Sequence, residues 1–169
     1  TPTAVRPAWL VQRYPEVQRT DSDRRRNGVG GRHNHCFTSP ILREKATALT
    51  TALAERYGSR KSLILWHVSN ELDGACHCSL CEEQFRLWLE ERYGSLEALN
   101  AAWWTTFWSA TYSDWSQIAA PGPGQQYAVN GLFLDWKRFT TDRTIDFLRM
   151  ELEPLRRITP EVPITTNFH

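Results

Sequence analysis

The sequence has no apolar run of the roughly 20 residues that a membrane-crossing helix requires. Its longest, such as Leu63 to Trp66, stop far short, and no charged-then-apolar signal pattern opens the chain. A membrane is therefore not an expected partner, and the chain is expected to be soluble and cytoplasmic. Net charge is almost absent as well: 20 basic against 19 acidic residues leave +1, which excludes a field of one sign that would draw in nucleic acid. There is no internal repeat, no low-complexity tract and no initiating methionine. Thr1-Pro2-Thr3 opens abruptly, and the chain stops at His169 where a strand would deliver its loop, so a piece of something larger is expected. What is present suits a packed globular domain: 169 residues, 41% hydrophobic and 12% aromatic.

Helix signals are clear in several places. Ser39-Pro40, then Ile41 to Tyr57 and Gly58, combine a serine cap, a first-turn proline and a C′ glycine. Ser79-Leu80-Cys81-Glu82 has the form of a capping box and leads into a helix that Gly94 ends. Ser95 opens a short helix towards Trp103, and a long one is predicted from about Leu132 to Ile158, with Ile145, Leu148, Leu152 and Leu155 on one face. Ser62 to Val68 and Val162 to Asn167 read as strands covered on both faces. Residues 104–129 hold aromatics, Ser, Gly and Pro without a period and are expected to form a long aromatic loop. Arg24-Arg25-Arg26 is a short charge run, expected on a solvated loop.

This order of helices and strands fits parallel β/α units, an α/β fold in which the chain supplies part of a (β/α)8 TIM barrel, since a closed barrel takes about 250 residues. An open doubly wound sheet is the alternative, but no Gly-rich phosphate turn follows either strand. In a barrel, strand C-termini face the active site. Glu71, directly after Val68-Ser69-Asn70, would project into that mouth, with an apolar flank to keep it protonated and Asn70 beside it to meet a substrate hydroxyl. The plainer reading is that both residues only cap the loop.

Cys76, Cys78 and Cys81 crowd the loop at 72–81, and Cys36 brings the number of thiols to four, the set that a tetrahedral structural zinc takes. Disulfides and unliganded core thiols remain alternatives. His33, His35 and His77 lie near enough in sequence to substitute as ligands. Eight tryptophans add flat faces of the kind sugar sites use; Trp104, Trp108, Tyr112 and Trp115 fall in the long loop, where they would wall a site, line an oligomer interface or simply pack.

Asn70-Glu71 ending a strand after a Trp-containing segment resembles the acid/base signature of retaining glycosidases built on (β/α)8 barrels. The wider pattern resembles glycoside hydrolase family 42, the β-galactosidases. It includes Pro7-Ala8-Trp9-Leu10, Arg32-His33-Asn34-His35-Cys36, Leu65 to Glu71, Cys76 to Cys81, Arg92 to Asn100, Phe107-Trp108-Ser109, Tyr112 to Trp115 and Ile164 to Phe168. The resemblance implies a partial catalytic domain over 1–169 that acts on terminal β-galactosides. Glu71 would be the proton donor, Asn70 and Arg32 substrate-binding residues, and Cys36, Cys76, Cys78 and Cys81 the ligands of a structural zinc. It also implies a homo-oligomer, a trimer. Two departures stand out: the usual Asp-Asn-Glu is Ser69-Asn70-Glu71 here, and Leu72-Asp73-Gly74 replaces an aromatic or glycine-rich continuation. The family's nucleophile lies on a later strand, so the chain is expected to carry the acid/base without it. The rival reading is a non-catalytic, zinc-stabilised module that binds carbohydrate or a partner.

Overall fold

The computed structural model describes residues 1–3, 5–124 and 129–167. Residues 125–128 of the expected loop, and Phe168 of the expected strand-end motif, lie outside the described residues. In order, the elements are α1 (Ala8–Arg13), α2 (Pro40–Tyr57), β1 (Trp66–His67), α3 (Ser79–Tyr93), α4 (Leu96–Trp103), α5 (Asn130–Ile158) and β2 (Ile164–Thr165), with 3-10 turns at Pro15–Val17, Phe107–Ser109 and Trp115–Gln117.

The chain divides into two compact units: residues 1–18, 27–74 and 143–169 form the first, and 19–26 with 75–142 the second. In the first unit β1 and β2 pair in parallel, Trp66 opposite Ile164 and His67 opposite Thr165. The pairing runs on beyond the strands: Val68 N–H donates to Thr165 O at 2.8 Å and Glu71 N–H to Asn167 O at 3.2 Å. Both strands are shorter than expected, and the run before β1 is not covered on both faces, because Ile64 is 77% exposed and Leu65 also lies open. With one partner strand among the described residues, only Trp66 and Val68 are buried, against Ala54 of α2 and Leu155 of α5. A second cluster joins Leu10, Val17, Phe37, Leu42, Ala46, Leu72 and Phe147.

Local chemistry explains the helix ends. Ser39 Oγ accepts from Leu42 N–H at 3.3 Å, as the Ser-Pro start predicts. Gly58 is needed for space rather than for a left-handed turn: its φ is −56°, and a Cβ there would lie 2.4 Å from the Thr159 side chain. The buried line of the α5 segment in this unit is Phe147, Glu151, Pro154 and Leu155. Ile145, expected on that face, is exposed, and Leu148 and Leu152 flank the line half-buried.

In the second unit Phe85 of α3 packs edge-on to Trp136 of α5 at 5.0 Å, with Phe139 at 5.3 Å, while Leu89, Leu99 and Ile118 are fully buried. Asp135 is a buried anchor: it accepts from Trp103 Nε1 at 2.9 Å, from the Tyr93 hydroxyl, and pairs with Arg138 at 2.8 Å. Burial first, then the Asp135 bond, hold the Tyr93 hydroxyl above its usual pKa. Gly131 lets α5 approach Trp103, since a Cβ would meet that indole at 2.3 Å. Ser95 caps α4 through Ala98 N–H as expected. Ser79 does not cap α3. Cys78 is the N-cap residue and makes no side-chain capping bond to the helix, and Glu82, the expected partner in the box, instead accepts from Ala120 N–H at 3.0 Å and pairs with Arg24 at 2.8 Å.

Candidate active site and thiol cluster

Glu71 stands beyond the C-terminal end of β1, where the sequence placed it. The turn that presents it is built from unusual backbone: Ser69 (φ 54°) and Glu71 (φ 49°) are both left-handed, with Asn70 between them. Such conformations in non-glycine residues cost on the order of 1–3 kcal/mol each and persist where surrounding contacts enforce them. Here the Ser69 N–H is held by Thr1 Oγ1 at 2.9 Å and the Glu71 N–H by Asn167 O at 3.2 Å. The half-buried Glu71 carboxylate meets Arg32 Nη2 at 2.8 Å through Oε2, and Asn167 Nδ2 reaches Oε1 at 3.4 Å. Its immediate neighbours are thus a guanidinium and an amide, not the apolar flank expected from the strand. Arg32 and Glu71 are brought together, and Asn70 sits half-buried beside them. Asn167 is the residue missed by sequence reasoning; the signal was a second polar residue at the end of a second parallel strand.

Two further carboxylates, Asp114 and Asp135, have structural positions. Asp114 caps the 3-10 turn at Trp115–Gln117, accepting from Ser116 N–H at 2.8 Å, and the Ser116 bonds hold its carboxyl below the usual range. Asp135 is the buried anchor already described.

The four cysteines are present as thiols. Cys36 is buried in the first unit; its N–H donates to Val17 O at 2.9 Å and its carbonyl accepts from Ser39 N–H at 3.1 Å. In the second unit the sulfurs of Cys76, Cys78 and Cys81 lie within 4.8 Å of one another. A tetrahedral zinc with Zn–S bonds of about 2.3 Å sets its sulfurs about 3.8 Å apart, so thiols gathered this closely can hold a metal ion. Thr20 N–H points at Cys76 Sγ from 3.4 Å, the kind of donor that stabilises a thiolate. His77, a substitute ligand on sequence grounds, packs its ring against Trp136 at 5.1 Å. Burial, and after it the Arg24 charge, lower its pKa. His35 lies edge-on to Phe37 at 5.3 Å, inside the core of the first unit.

Of the loop aromatics, Trp108 is 81% exposed, Trp104 stacks on Phe107 at 5.0 Å, and Tyr112 lies edge-on to Trp103 at 5.9 Å. Asn100 clamps the base of this loop, donating to Tyr112 O at 2.7 Å and accepting from Tyr112 N–H at 3.0 Å.

Comparison with known proteins bears on the family and the fold. The family model described as glycoside hydrolase 42, β-galactosidase, matches residues 1–169. The β-galactosidase BglY of Alicyclobacillus acidocaldarius is 58% identical over 168 residues, which is 99% of this chain and 24% of that protein. Among solved structures, Gan42B, a GH42 β-galactosidase from G. stearothermophilus, superposes with a TM-score of 0.96 at 58% identity, covering 99% of this chain and 25% of that one. The cold-adapted β-galactosidase from Rahnella sp. R3 gives the same TM-score at 51% identity, over 99% of this chain and 25% of that one. The chain spans about a quarter of the length of the relatives it matches, and its fold is a part of their TIM barrel. No helix among the described residues is long and apolar enough to cross a membrane.

Proposed function

The chain belongs to glycoside hydrolase family 42, and on that premise we propose that it is a piece of the catalytic barrel of a retaining β-galactosidase acting on terminal β-D-galactosides. The observation that carries the reading is Glu71 at the C-terminal end of a parallel strand, ion-paired to Arg32 at 2.8 Å. Glu71 is the proton donor to the leaving oxygen in the first half of the reaction and the base that activates water in the second. Arg32 meets the carboxylate form that the second half requires, and its remaining N–H groups, with the Asn70 amide, are donors for sugar hydroxyls. Retention needs a second carboxyl about 5–5.5 Å from the first, as nucleophile. Asp73, Asp114 and Asp135 lie in loops or helices rather than at a strand end, so the nucleophile is assigned to a part of the whole protein beyond this quarter.

The thiols are assigned to a structural zinc held by Cys36, Cys76, Cys78 and Cys81. Four thiolates leave no open coordination position, so the ion contributes folding energy and orders its loop, with no part in bond cleavage. The family resemblance is also the ground for expecting a homotrimer.

The test is Glu71→Gln in the whole protein. Substrates with poor leaving groups are expected to slow by about 10²–10⁴-fold, activated aryl galactosides far less in the first step, because only the former need the proton. Azide is expected to restore turnover and give a β-glycosyl azide, since a small anion needs no base. Equal slowing of every substrate without anion rescue would remove Glu71 from the acid/base role.

A further inference from the structure

We infer that Arg24 is a positioning residue for the thiol loop, holding the cysteine-bearing segment in its ligand geometry through the carbonyl of His77. The inference rests on the metal reading above. Sequence alone gives Arg24 as one of three arginines in a charge run, yet its side chain is engaged at every terminal nitrogen. Nη1 donates to His77 O at 2.7 Å and meets Glu82 Oε1 at 2.8 Å, while Nη2 donates to Ala120 O at 2.8 Å. Glu82 Oε1 in turn accepts from Ala120 N–H at 3.0 Å, so arginine, glutamate and the Ala120 peptide form a closed ring of bonds.

His77 lies between two of the thiols, Cys76 and Cys78. Its peptide is gripped from both ends: the carbonyl by Arg24, and the N–H by Thr20 O at 2.8 Å. Thr20 N–H is itself the donor to Cys76 Sγ. Glu82 follows Cys81 directly. The guanidinium therefore fixes the chain within one residue of each of the three cysteines in the second unit.

The backbone supports the same role. Asp21 to Arg25 form a tight turn, with Asp21 N–H donating to Arg25 O at 2.9 Å and Asp21 Oδ1 accepting from Arg25 N–H at 2.9 Å. Arg24 occupies a left-handed position in it, φ 67°. Glycine or asparagine fits such a position more easily, and a long arginine there is explained by the three acceptors its side chain reaches. The planar fork matters, because lysine offers one point charge and cannot span a carboxylate and two carbonyls on diverging sides.

The test uses the purified protein loaded with zinc(II), with release timed after addition of a chromophoric chelator, and with cobalt(II) as a spectroscopic probe of thiolate coordination. Partners that orient metal ligands typically contribute about 10–100-fold to metal affinity, so Arg24→Ala is expected to release zinc faster by a factor in that range. The cobalt thiolate bands are expected to shift or weaken. Arg24→Lys is expected to recover little of this, and Arg24→Gln, which keeps a planar donor, more. Unchanged release and unchanged cobalt spectra in Arg24→Ala would overturn the role. Should Arg24→Ala fail to fold, the Lys and Gln variants decide by the same comparison, equal and native-like release in both overturning it. A native protein that binds neither metal would remove the metal reading itself; native binding with unaltered variants removes the role of Arg24 alone.

Discussion

Glu151 is a fully buried carboxyl in the line of apolar residues that α5 turns inward. Neither of its oxygens has a hydrogen-bond partner of ordinary geometry among the described residues, and burial pushes its pKa up to about 7, offset only in part by the nearby Thr3 hydroxyl. The sign follows from proton counting. Between the ordinary value of 4.5 and about 7 the folded chain binds a proton that the unfolded chain has lost, so this group lowers stability progressively as pH rises through that window and by a constant amount above it. The full effect is roughly 3 kcal/mol. Glu151→Gln keeps the shape and cannot ionise. Its melting temperature is expected to match the native protein near pH 4 and to exceed it increasingly towards pH 8. Parallel pH–melting curves for the two proteins would show that the site does not resist the charge. Spacing alone puts Glu151 on the same face as Phe147 and Leu155, four residues to either side, but its residue type reads as exposed, because an unpaired glutamate is almost never fully buried. The expected stripe was therefore drawn through the aliphatic residues, Ile145 among them, and passed over this line.

At the scale of elements, what was legible was whatever local bonds decide. Ser39 and Ser95 cap their helices because their neighbours offer nothing better, and Gly94 ends α3 with a φ of 74°, which its lack of a Cβ permits. Ser79 to Glu82 carried an equally good capping signal and failed, since Arg24 and Ala120, distant in sequence, draw Glu82 away. The strands were found but their burial was not, because burial depends on neighbours that a local pattern does not contain. Glu71 and Arg32 were legible as candidate site residues, whereas placing Asn167 beside them required knowing which strand β2 pairs with. Cys78 being the N-cap residue of α3 makes one substitution unusually informative. Serine is a better N-cap than cysteine, so Cys78→Ser would stabilise the helix itself if capping were all that mattered, typically by about 1 kcal/mol. Loss of a zinc ligand acts the other way and more strongly, because in such sites binding energy is folding energy. Zinc content and melting temperature are expected to fall together. A variant that loses zinc while melting at or above the native temperature would exclude a structural role for the metal.

For the whole molecule the governing fact is arithmetic: the chain covers about a quarter of its relatives, and its described residues hold two parallel strands of a barrel that takes eight. Its own chemistry fits that share. Among the described residues Glu71 stands at a strand end with Arg32 and Asn167 beside it, while Asp114 serves as a cap and Asp135 as a core anchor. Ile64 and Leu65 lie exposed just before β1, in a sheet that has two strands among the described residues. Retaining hydrolysis needs two carboxyls held on opposite sides of the anomeric carbon, so on the reading proposed above the folded piece would carry the acid and lack the nucleophile. The 169-residue chain, verified by mass, is therefore expected to show no turnover of an aryl galactoside under conditions where the whole protein is active. An activated leaving group makes the comparison strict, because it removes the need for the acid and leaves nucleophilic attack as the missing step. Hydrolysis by the 169-residue species at a rate near that of the whole protein would place a second working carboxyl within this quarter and overturn the division of labour proposed here.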